Sequence, residues 1–480
     1  MAKTVDSAGR GAEFDLAIIG AGSAGLSVAY PAARLGLRVA LIERGRMGGE
    51  CLNSGCVPSK ALLAAAHAAT DARAAGRLGV RLAAPEIDWA AVQAHVRAAI
   101  AAIAPNDAAE RYRGLGATVL EDEARFIAAD TLAVGGRRVT ARRIVIAAGS
   151  RPAMPDIPGL AGLDPLTSET LLPALPRPDH LLILGGGAVG IEMAQAHAAL
   201  DCRVTLIEAD RIAAREDEEL ADGLRAVLTG QGVTILEHAK VASGEPGPTL
   251  VLQDGRRIAG THLLVATGRR PNVEALGLDA GGVAATARGI ATDLGLRSTS
   301  NRRVWAAGDI ADPAGVGPRY LTHAGSYHAG VVLRRAVFRI PARIDYAALP
   351  RVTYTDPELA QVGQTEAEAR AAGRTVAVLR TPLAENDRAQ AEGRTKGLVK
   401  LVTSRGRLLG AGILAPHAGE MVGGIGLAIA RGIPLSALAG QVLPYPTLAE
   451  AAKRAASQGP SARLFARPAM SLAHLLARLP

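Results

Sequence analysis

The chain has 480 residues, of which 49% are hydrophobic, so it is long enough to bury about three separate domain cores. It holds only three cysteines, which excludes a small secreted fold held by disulfides, and no uncharged apolar stretch is long enough for a transmembrane helix. The net charge of +9 would suit an anionic partner, but aromatic residues make up only 3% and no basic run is interleaved with them, so no nucleic-acid partner is expected.

The segment from Met1 to Glu13 is polar and lacks the apolar core of a secretory signal. Disulfide-dependent folds belong to oxidising compartments, and this chain has too few cysteines for one. We therefore expect a protein of the cytoplasm.

The first pattern along the chain is a short apolar strand, Phe14 to Ile19, that leads into the turn Gly20-Ala21-Gly22-Ser23-Ala24-Gly25. A helix should follow this turn, and a second apolar strand, Val39 to Ile42, ends at Glu43. In such a unit the glycines let the backbone approach a pyrophosphate, which the helix N-terminus faces, and the acid accepts hydrogen bonds from a ribose. The pattern predicts a dinucleotide-binding site.

Cys51 and Cys56 follow this unit in a Gly-flanked run that ends at Lys60, with four residues between the two thiols. Two of the three cysteines of the chain therefore lie in one short segment, which favours redox chemistry. The alternative is two unrelated buried thiols, which the long flanking pattern makes the weaker interpretation. Cys202, the third cysteine, is expected to be a small buried core residue.

The first unit has a counterpart later in the chain. The strand His180 to Leu184 leads into Gly185-Gly186-Gly187-Ala188-Val189-Gly190, and the strand Val204 to Ile207 ends at Glu208. The first glycine and the acid are 23 residues apart in both copies. One such fingerprint is weak evidence, but two copies in the same strand, turn, helix and acid context are specific.

The remaining strands suggest how the domains are arranged. Ile144 to Gly149 and Leu263 to Gly268 are expected to be strands at which the chain crosses between two nucleotide domains, and Val304 to Asp309 is a further strand ending in an acid. After Pro350, alternating strands and an apolar helix, Met421 to Ala430, predict an α+β domain. The expected domains are 1–155 and 271–345 for the first nucleotide domain, 156–270 for the second, 346–459 for the α+β domain and 460–480 for a tail.

The tail is expected to form an amphipathic helix. Leu472, Leu475, Leu476 and Leu479 fall on one helical face, with arginines nearby at 463, 467 and 478. A basic amphipathic helix can lie on a membrane surface, whereas packing against its own dimer is the commoner arrangement and the one we favour.

Together these motifs resemble the flavoprotein disulfide reductases, the class I pyridine nucleotide-disulfide oxidoreductases, which include dihydrolipoamide dehydrogenase, glutathione reductase and mercuric reductase. The resemblance covers roughly residues 14 to 457 and extends to Val57-Pro58-Ser59-Lys60, Ala307-Gly308-Asp309 and Thr355-Asp356-Pro357-Glu358. It implies an α/β fold with two Rossmann-like dinucleotide-binding domains, for FAD and NAD, and an α+β C-terminal dimerisation domain. It also implies a homodimer with no bound metal cofactor.

The resemblance further implies an electron path from NADH through the flavin to a Cys51–Cys56 disulfide and on to a small-molecule or metal-ion acceptor. Cys56 would face the flavin and Cys51 would exchange with the substrate. Lys60 would lie by the flavin and pair with Glu192; the alternatives are a solvated lysine and a plain surface acid. The residues implied for FAD are Gly20, Gly22, Ser23, Ala24, Gly25, Glu43, Arg44, Gly49, Ala124, Ala148, Gly149, Ser150, Gly308, Asp309, Leu321 and Thr322. Those implied for the nicotinamide cofactor are Gly185, Gly187, Val189, Gly190, Glu208, Thr267 and Gly268.

Glu208 also bears on the choice between the two nicotinamide cofactors. A carboxylate there would repel a 2′-phosphate and accept from a 2′-hydroxyl, which favours NADH. Arg211 and Arg215 follow closely in sequence, so NADPH stays open, although two charges on a solvated loop are the simpler interpretation.

The C-terminal segment departs from the family pattern. Members that act on disulfides have a His, supplied by the partner subunit, five residues before a Glu; here Tyr445 stands in place of the His, while Glu450 is retained. An unperturbed Tyr is a poor base at neutral pH, so efficient lipoamide or glutathione disulfide turnover is not expected.

The same departure favours a thiolate-bound soft metal ion, because mercuric reductases also lack this His. However, no cysteine follows Cys202, so the C-terminal cysteine pair of mercuric reductases is missing as well. Two alternatives therefore stay open: an NADH-dependent quinone or oxygen reductase, and a dithiol redox sensor without turnover.

Overall fold

The computed structural model describes residues 12–171, 177–465 and 467–479. The α-helices within these residues are Ser23–Arg34, Gly49–Asn53, Cys56–Ala74, Trp89–Ile103, Ala109–Gly114, Ala188–Ala199, Glu218–Gly230, Thr322–Ala336, Glu366–Ala371, Asp387–Glu392, Ala418–Ala430, Leu435–Ala439, Glu450–Leu464 and Arg467–Leu476. Short 3₁₀ turns lie at Ala75–Leu78, Ala104–Asn106, Ala161–Leu163, Glu274–Leu276, Gly308–Ile310 and Leu383–Glu385.

A five-stranded parallel sheet forms the centre of the first nucleotide domain. Its strands, in spatial order, are Val304–Ala306, Ile144–Ile146, Leu16–Ile19, Val39–Ile42 and Thr118–Leu120. The strands Leu16–Ile19 and Val39–Ile42 are fully buried, and their core includes residues of the helix Ser23–Arg34 and of the antiparallel strands Ala124–Ala128 and Thr131–Val134. The edge strand Val304–Ala306 comes from far along the chain, so the chain returns to this sheet after completing the second nucleotide domain.

The second nucleotide domain is centred on a four-stranded parallel sheet. Its strands, in spatial order, are Thr234–Leu236, Arg203–Ile207, His180–Leu184 and His262–Val265. In each of the two sheets, the fingerprint strand lies between the strand that ends in Glu and the crossing strand. The duplication predicted from the sequence is therefore a duplication of structure. The fingerprint strands and the strands that end in Glu have bounds within two residues of the expected ones, whereas the crossing strands end three residues earlier than expected, at Ile146 and Val265.

The two crossings of the chain lie side by side. Ser150–Pro152 and Arg269–Pro271 pair as an antiparallel ribbon directly after the strands Ile144–Ile146 and His262–Val265. Smaller antiparallel sheets flank the two nucleotide domains, and their strands are Ala124–Ala128, Thr131–Val134, Arg137–Thr140, Val241–Glu245, Thr249–Leu252, Arg257–Ala259, Ala285–Thr286, Gly289–Thr292 and Ala311–Pro313, of which the last pairs in parallel with Gly289–Thr292.

The C-terminal α+β domain is a five-stranded antiparallel sheet covered by helices. Its strands, in spatial order, are Arg351–Thr353, Glu358–Gly363, Arg407–Ala415, Leu398–Ser404 and Ala377–Pro382. Ala418–Ala430 packs on the two strands Glu358–Gly363 and Arg407–Ala415, and Glu450–Leu464 packs on the other edge. Ala451, Ala455 and Ala456 are buried there, and the helix runs through residue 460, where the sequence predicted the tail to begin.

Within the described part of the chain, no helix combines the length and the apolar content that a membrane crossing needs.

Candidate active site

A cavity of about 1780 Å³ opens between the first nucleotide domain, the cysteine run and the start of the second fingerprint helix. All but one of the residues that the sequence assigned to FAD line it, the exception being the buried Gly25. Cys51, Cys56, Lys60, Val189 and Glu192 line it as well. One space therefore brings together the expected flavin site, the dithiol and the edge of the expected nicotinamide site.

Two close approaches of the backbone shape the floor of this cavity. A Cβ on Gly25 would fall 1.9 Å from the carbonyl oxygen of Gly20, and a Cβ on Gly49 would fall 2.7 Å from the Cα of Gly22. Side chains at these positions would push the helix off its strand and the cysteine run off the turn. The glycines therefore let the cysteine run lie directly against the fingerprint.

Glu43 directly follows the second strand of the first fingerprint, and its carboxylate contacts the glycine turn. Its carboxylate accepts hydrogen bonds from the N–H of Ala21 at 2.6 Å and from the N–H of Gly45 at 2.8 Å. The helix Ser23–Arg34 begins without a side-chain cap, so N–H groups of its first turn face the cavity without a partner from a capping side chain. The cavity, the glycine turn and the anchored acid fit FAD, with its pyrophosphate at the helix N-terminus.

The second fingerprint repeats this geometry. The Glu208 carboxylate accepts from the N–H of Gly186 at 2.6 Å and from the N–H of Asp210 at 3.0 Å, and the helix Ala188–Ala199 also begins without a side-chain cap. The Arg211 guanidinium pairs with Glu218 and with Asp222, so it is already engaged within the protein and is not expected to bind a 2′-phosphate. The fingerprint thus fits a second dinucleotide. Apart from Val189, the residues assigned to that cofactor, Thr267 and Gly268 included, lie outside the lining of the large cavity.

The dithiol lies where two helices meet. The helix Gly49–Asn53 carries Cys51, and Cys56 is the first residue of the helix Cys56–Ala74. The side-chain amide of Asn53 donates to the carbonyls of Met47 at 2.9 Å and Gly49 at 2.7 Å, which fixes the start of the first of these helices. Both cysteines are free thiols in this structure.

The two thiols differ in acidity. A hydrogen bond from Cys51 lowers the pKa of Cys56 to about 6, helped by Thr322, whose Oγ1 lies 3.2 Å from the Cys56 sulfur, and by the Lys60 charge. The same hydrogen bond, together with burial, raises the pKa of Cys51 above its ordinary value. A position at a helix N-terminus also favours the thiolate. Cys56 is therefore the thiolate of the pair at neutral pH, and Cys51 is its proton donor.

Lys60 and Glu192 form the ion pair that the family resemblance implied. Lys60 Nζ lies 2.7 Å from Glu192 Oε2, although the two residues are 132 positions apart in sequence. The Glu192 side chain is buried. Lys60 is on the cysteine helix, one turn after Cys56, and Glu192 is on the second fingerprint helix. The pair thus joins the dithiol to the second nucleotide domain at the cavity wall.

The sequence reasoning missed Tyr354, which adds a third member to this group. Its ring centroid lies 4.4 Å from Lys60 Nζ, and its backbone N–H donates to Glu192 Oε1 at 3.0 Å. Tyr354 directly precedes the motif residues Thr355 to Glu358, and this position was the only feature of the sequence that could have indicated a place near the site.

A second missed group surrounds Glu50, the neighbour of Cys51. The Arg269 guanidinium forms a bidentate ion pair with Glu50, and its Nε donates to Ser150 Oγ at 2.6 Å. Ser150 in turn donates to Asp309 at 2.5 Å, and burial raises the pKa of Asp309. Glu50 and Arg269 are 219 residues apart, so no local pattern could have connected them.

Tyr445 and Glu450 lie outside the cavity of their own chain. Tyr445 is 72% exposed and its hydroxyl donates to Asp387 Oδ2 at 2.9 Å, while Glu450 accepts from the N–H of Thr447 at 3.1 Å. Cys202 is buried, as predicted, and burial raises the pKa of its thiol to about 11. Among the described residues, no group of three or more His, Cys, Asp or Glu side chains is arranged to hold a metal ion.

Comparison with known proteins agrees with this geometry. A family model described as pyridine nucleotide-disulphide oxidoreductase matches residues 14–349, and the model of its dimerisation domain matches residues 349–456. A mercuric reductase from Streptomyces lividans is 38% identical over 462 residues, covering 92% of this chain and 95% of that protein. A dihydrolipoyl dehydrogenase from Geobacillus stearothermophilus is 34% identical over 460 residues, covering 92% and 96% respectively.

Solved structures give the same result. The HOCl-induced flavoprotein disulfide reductase RclA from Escherichia coli superposes with a TM-score of 0.82 at 28% identity, covering 92% of this chain and 99% of that one. The Cu(II) complex of RclA also superposes with a TM-score of 0.82, at 27% identity, covering 92% of this chain and 98% of that one.

Proposed function

The chain belongs to the pyridine nucleotide-disulphide oxidoreductase family, whose members use FAD and NAD(P)H, and from this premise we propose that it reduces a soft metal ion held by its thiols. It is an FAD-dependent oxidoreductase of the disulfide reductase type. Bound FAD supplies a carrier that accepts hydride from NAD(P)H and passes on two electrons. The residues of this chain bind that carrier, hold the dithiol beside it, and donate or accept the protons that the two thiols exchange.

The acidity of the two thiols supports separate roles for them. Cys56, with its lowered pKa and its contact with Thr322, is the thiolate that faces the flavin; Cys51, with its raised pKa, faces the acceptor. Lys60 supplies a positive charge beside both the thiolate and the flavin, and Glu192 holds that ammonium in place. Gly20 to Gly25, Glu43 and Asp309 bind FAD, while Gly185 to Gly190 and Glu208 bind the nicotinamide cofactor.

The observation that carries the choice of acceptor is Tyr445. Exchange with a disulfide substrate requires Cys51 to lose and regain a proton, and a tyrosine is a weak base for that purpose. The Asp387 contact raises the pKa of Tyr445, so the hydroxyl stays protonated and is even less able to accept the Cys51 proton. A thiophilic metal ion avoids this requirement, because it binds the thiolates directly and displaces their protons.

The relatives support the same choice. Mercuric reductases are among the proteins that resemble this chain, and RclA has been solved as a Cu(II) complex. For a mercuric substrate the reaction balances as NADH plus Hg²⁺ giving NAD⁺, H⁺ and Hg⁰. Both sulfurs bind the ion, the Cys51 proton is released on binding, and the metal accepts two electrons as it leaves the thiolates.

Three further properties belong to this proposal. The enzyme acts as a homodimer through its dimerisation domain, so that Tyr445 and Glu450 of one chain approach the Cys51 of its partner. It works in the cytoplasm. It prefers NADH, since the Glu208 carboxylate disfavours a 2′-phosphate.

An acceptor screen tests the proposal. The FAD-loaded enzyme and NADH are offered mercuric ion, Cu(II), lipoamide, a soluble quinone or oxygen, and NADH consumption is recorded at 340 nm. The proposal predicts fast turnover with a metal ion, loss of that turnover in Cys51→Ser, and retention in the matched control Cys202→Ala.

Two outcomes of the screen would replace the proposal. Quinone or oxygen turnover that survives Cys51→Ser would assign the enzyme to direct electron transfer from the flavin. If none of the acceptors supports steady NADH consumption, the result would favour a dithiol sensor.

A further inference from the structure

The last helix of the described chain, Arg467–Leu476, takes no part in the redox site. The family's dimerisation domain ends at residue 456, so this helix is an addition to the matched domains. Its largest contact with the rest of the described chain is with the helix Glu450–Leu464, and it buries none of its described side chains. Its role therefore concerns something outside the single chain.

Five large apolar side chains in and around this helix are more than half exposed. The exposed fractions are 68% for Phe465, 55% for Leu472, 61% for Leu475, 53% for Leu476 and 63% for Leu479. At 100° per residue, positions 472, 475, 476 and 479 fall on one face of a helix, and Phe465 lies shortly before the helix begins. Arg467, His474 and Arg478 fall on the opposite side.

Charge decides which partner fits this face. The helix and the residues directly after it contain Arg467, His474 and Arg478, and the chain has no Asp or Glu after Glu450. A second copy of the tail could not neutralise these charges, because it carries the same ones. An anionic lipid surface offers both an apolar interior for the leucines and negative headgroups for the arginines.

We propose that this helix is a peripheral anchor that lies on an anionic bilayer with its leucine face in the acyl boundary. Ten residues make a helix about 15 Å long, which is half the thickness of a hydrocarbon core, so the helix lies on the surface and does not span it. The anchor is independent of the electron acceptor.

Vesicle binding of the full-length, FAD-loaded enzyme tests the anchor. The enzyme binds vesicles of phosphatidylcholine with phosphatidylglycerol, and binds pure phosphatidylcholine vesicles weakly. The double variant Leu472→Ser with Leu476→Ser lowers the binding constant about 100-fold, because two apolar anchors are lost. Arg467→Gln with Arg478→Gln lowers it about 30-fold, since each basic residue at an anionic surface contributes about fivefold.

The matched control is Leu78→Ser with Leu82→Ser, which removes two equally exposed leucines from a distant loop and leaves binding unchanged. Flavin absorbance and NADH oxidation show that every variant is folded. Failure of the natural enzyme to bind anionic vesicles at low salt would overturn the proposal, as would full binding by the tail leucine variant. Dissociation of the dimer in that variant, without any lipid binding by the natural enzyme, would assign the face to a second copy.

Discussion

Tyr354 holds Lys60 from two directions: its ring centroid lies 4.4 Å from the Lys60 ammonium, and its backbone N–H donates to Glu192, the carboxylate with which Lys60 pairs. Tyr354 follows the first strand of the C-terminal sheet, Lys60 is on the cysteine helix and Glu192 is on the second fingerprint helix. Three parts of the fold therefore meet at one positive charge beside the dithiol.

This arrangement predicts that the Tyr354 ring, and not its hydroxyl, keeps Lys60 in place. Tyr354→Leu removes the cation–π contact, which is worth about 1 to 2 kcal/mol when it is shielded from water, and should slow flavin reduction by NADH about tenfold. Tyr354→Phe keeps the ring and should stay within about twofold of the natural enzyme. Stopped-flow absorbance of the flavin measures both rates, and equal rates in the two variants would contradict the role of the ring.

The acidity of Cys56 should depend on Cys51. The thiolate exists above its pKa, so in the two-electron-reduced enzyme its long-wavelength charge-transfer band should be lost as the pH falls through about 6. Cys51→Ala removes the hydrogen bond that is the largest cause of the lowering, so the band should be lost at higher pH, toward the ordinary thiol range. Absorbance titration gives both midpoints.

The same titration has two controls. Cys56→Ser should have no band at any pH, and Cys202→Ala should behave as the natural enzyme, because Cys202 is buried away from the cavity. An unchanged midpoint in Cys51→Ala would mean that Lys60 or Thr322 sets the acidity instead.

Glu208 should set the preference for NADH. Glu208→Gln keeps the shape of the side chain but removes the charge that disfavours a 2′-phosphate, so the ratio of kcat/KM for NADH over NADPH should fall by about tenfold or more. Glu245→Gln, an acid elsewhere in the same domain that pairs with Arg257, serves as the control and should leave the ratio unchanged. Equal use of both cofactors by the natural enzyme would refute this assignment.

Tyr445→His should restore disulfide chemistry. General acid–base catalysis typically contributes about 10² to 10⁴ in rate, so the natural enzyme should reduce its dithiol rapidly but turn over lipoamide slowly. The variant should raise kcat for lipoamide and leave the rate of dithiol reduction by NADH unchanged, because that step does not use the proton that residue 445 would handle. Robust lipoamide turnover by the natural enzyme that does not rise in the variant would show that Tyr445 itself, or another residue, handles the proton.

The Glu50–Arg269 pair should contribute to stability far more than a surface pair. Both side chains are mostly buried, so Glu50→Gln removes the bidentate partner of the Arg269 guanidinium, leaves it the longer contact with Asp309 at 3.5 Å, and should lower the free energy of unfolding by about 1 to 3 kcal/mol. Glu274→Gln breaks the exposed pair with Arg151 and should cost less than about 1 kcal/mol. Urea unfolding of the FAD-loaded enzyme compares the two, and similar losses would mean that solvent screens the cavity pair as well.

The sequence by itself predicted both nucleotide-binding units, the dithiol and the C-terminal α+β domain, because each is encoded by local spacing. A glycine turn next to an apolar strand, or two cysteines four residues apart, has its geometry set by neighbours in the chain. The Lys60–Glu192 pair was predicted only through the family resemblance, and the domain boundaries remain predictions.

What only the tertiary structure decided are the contacts between distant segments. Tyr354 reaches Lys60, and Arg269 reaches Glu50, because the packing of separate sheets brings them together, and no periodicity in the chain records such a meeting. The unequal acidity of Cys51 and Cys56 likewise depends on the fold: the hydrogen bond between the two thiols is its largest cause, followed by burial and by the contacts of Thr322 and Lys60. Local backbone geometry depends on adjacent residues, so the glycine turns and the dithiol could be predicted from the sequence. The stabilisation of a charge depends on the groups that the fold places within a few ångströms of it, so these contacts required the tertiary structure.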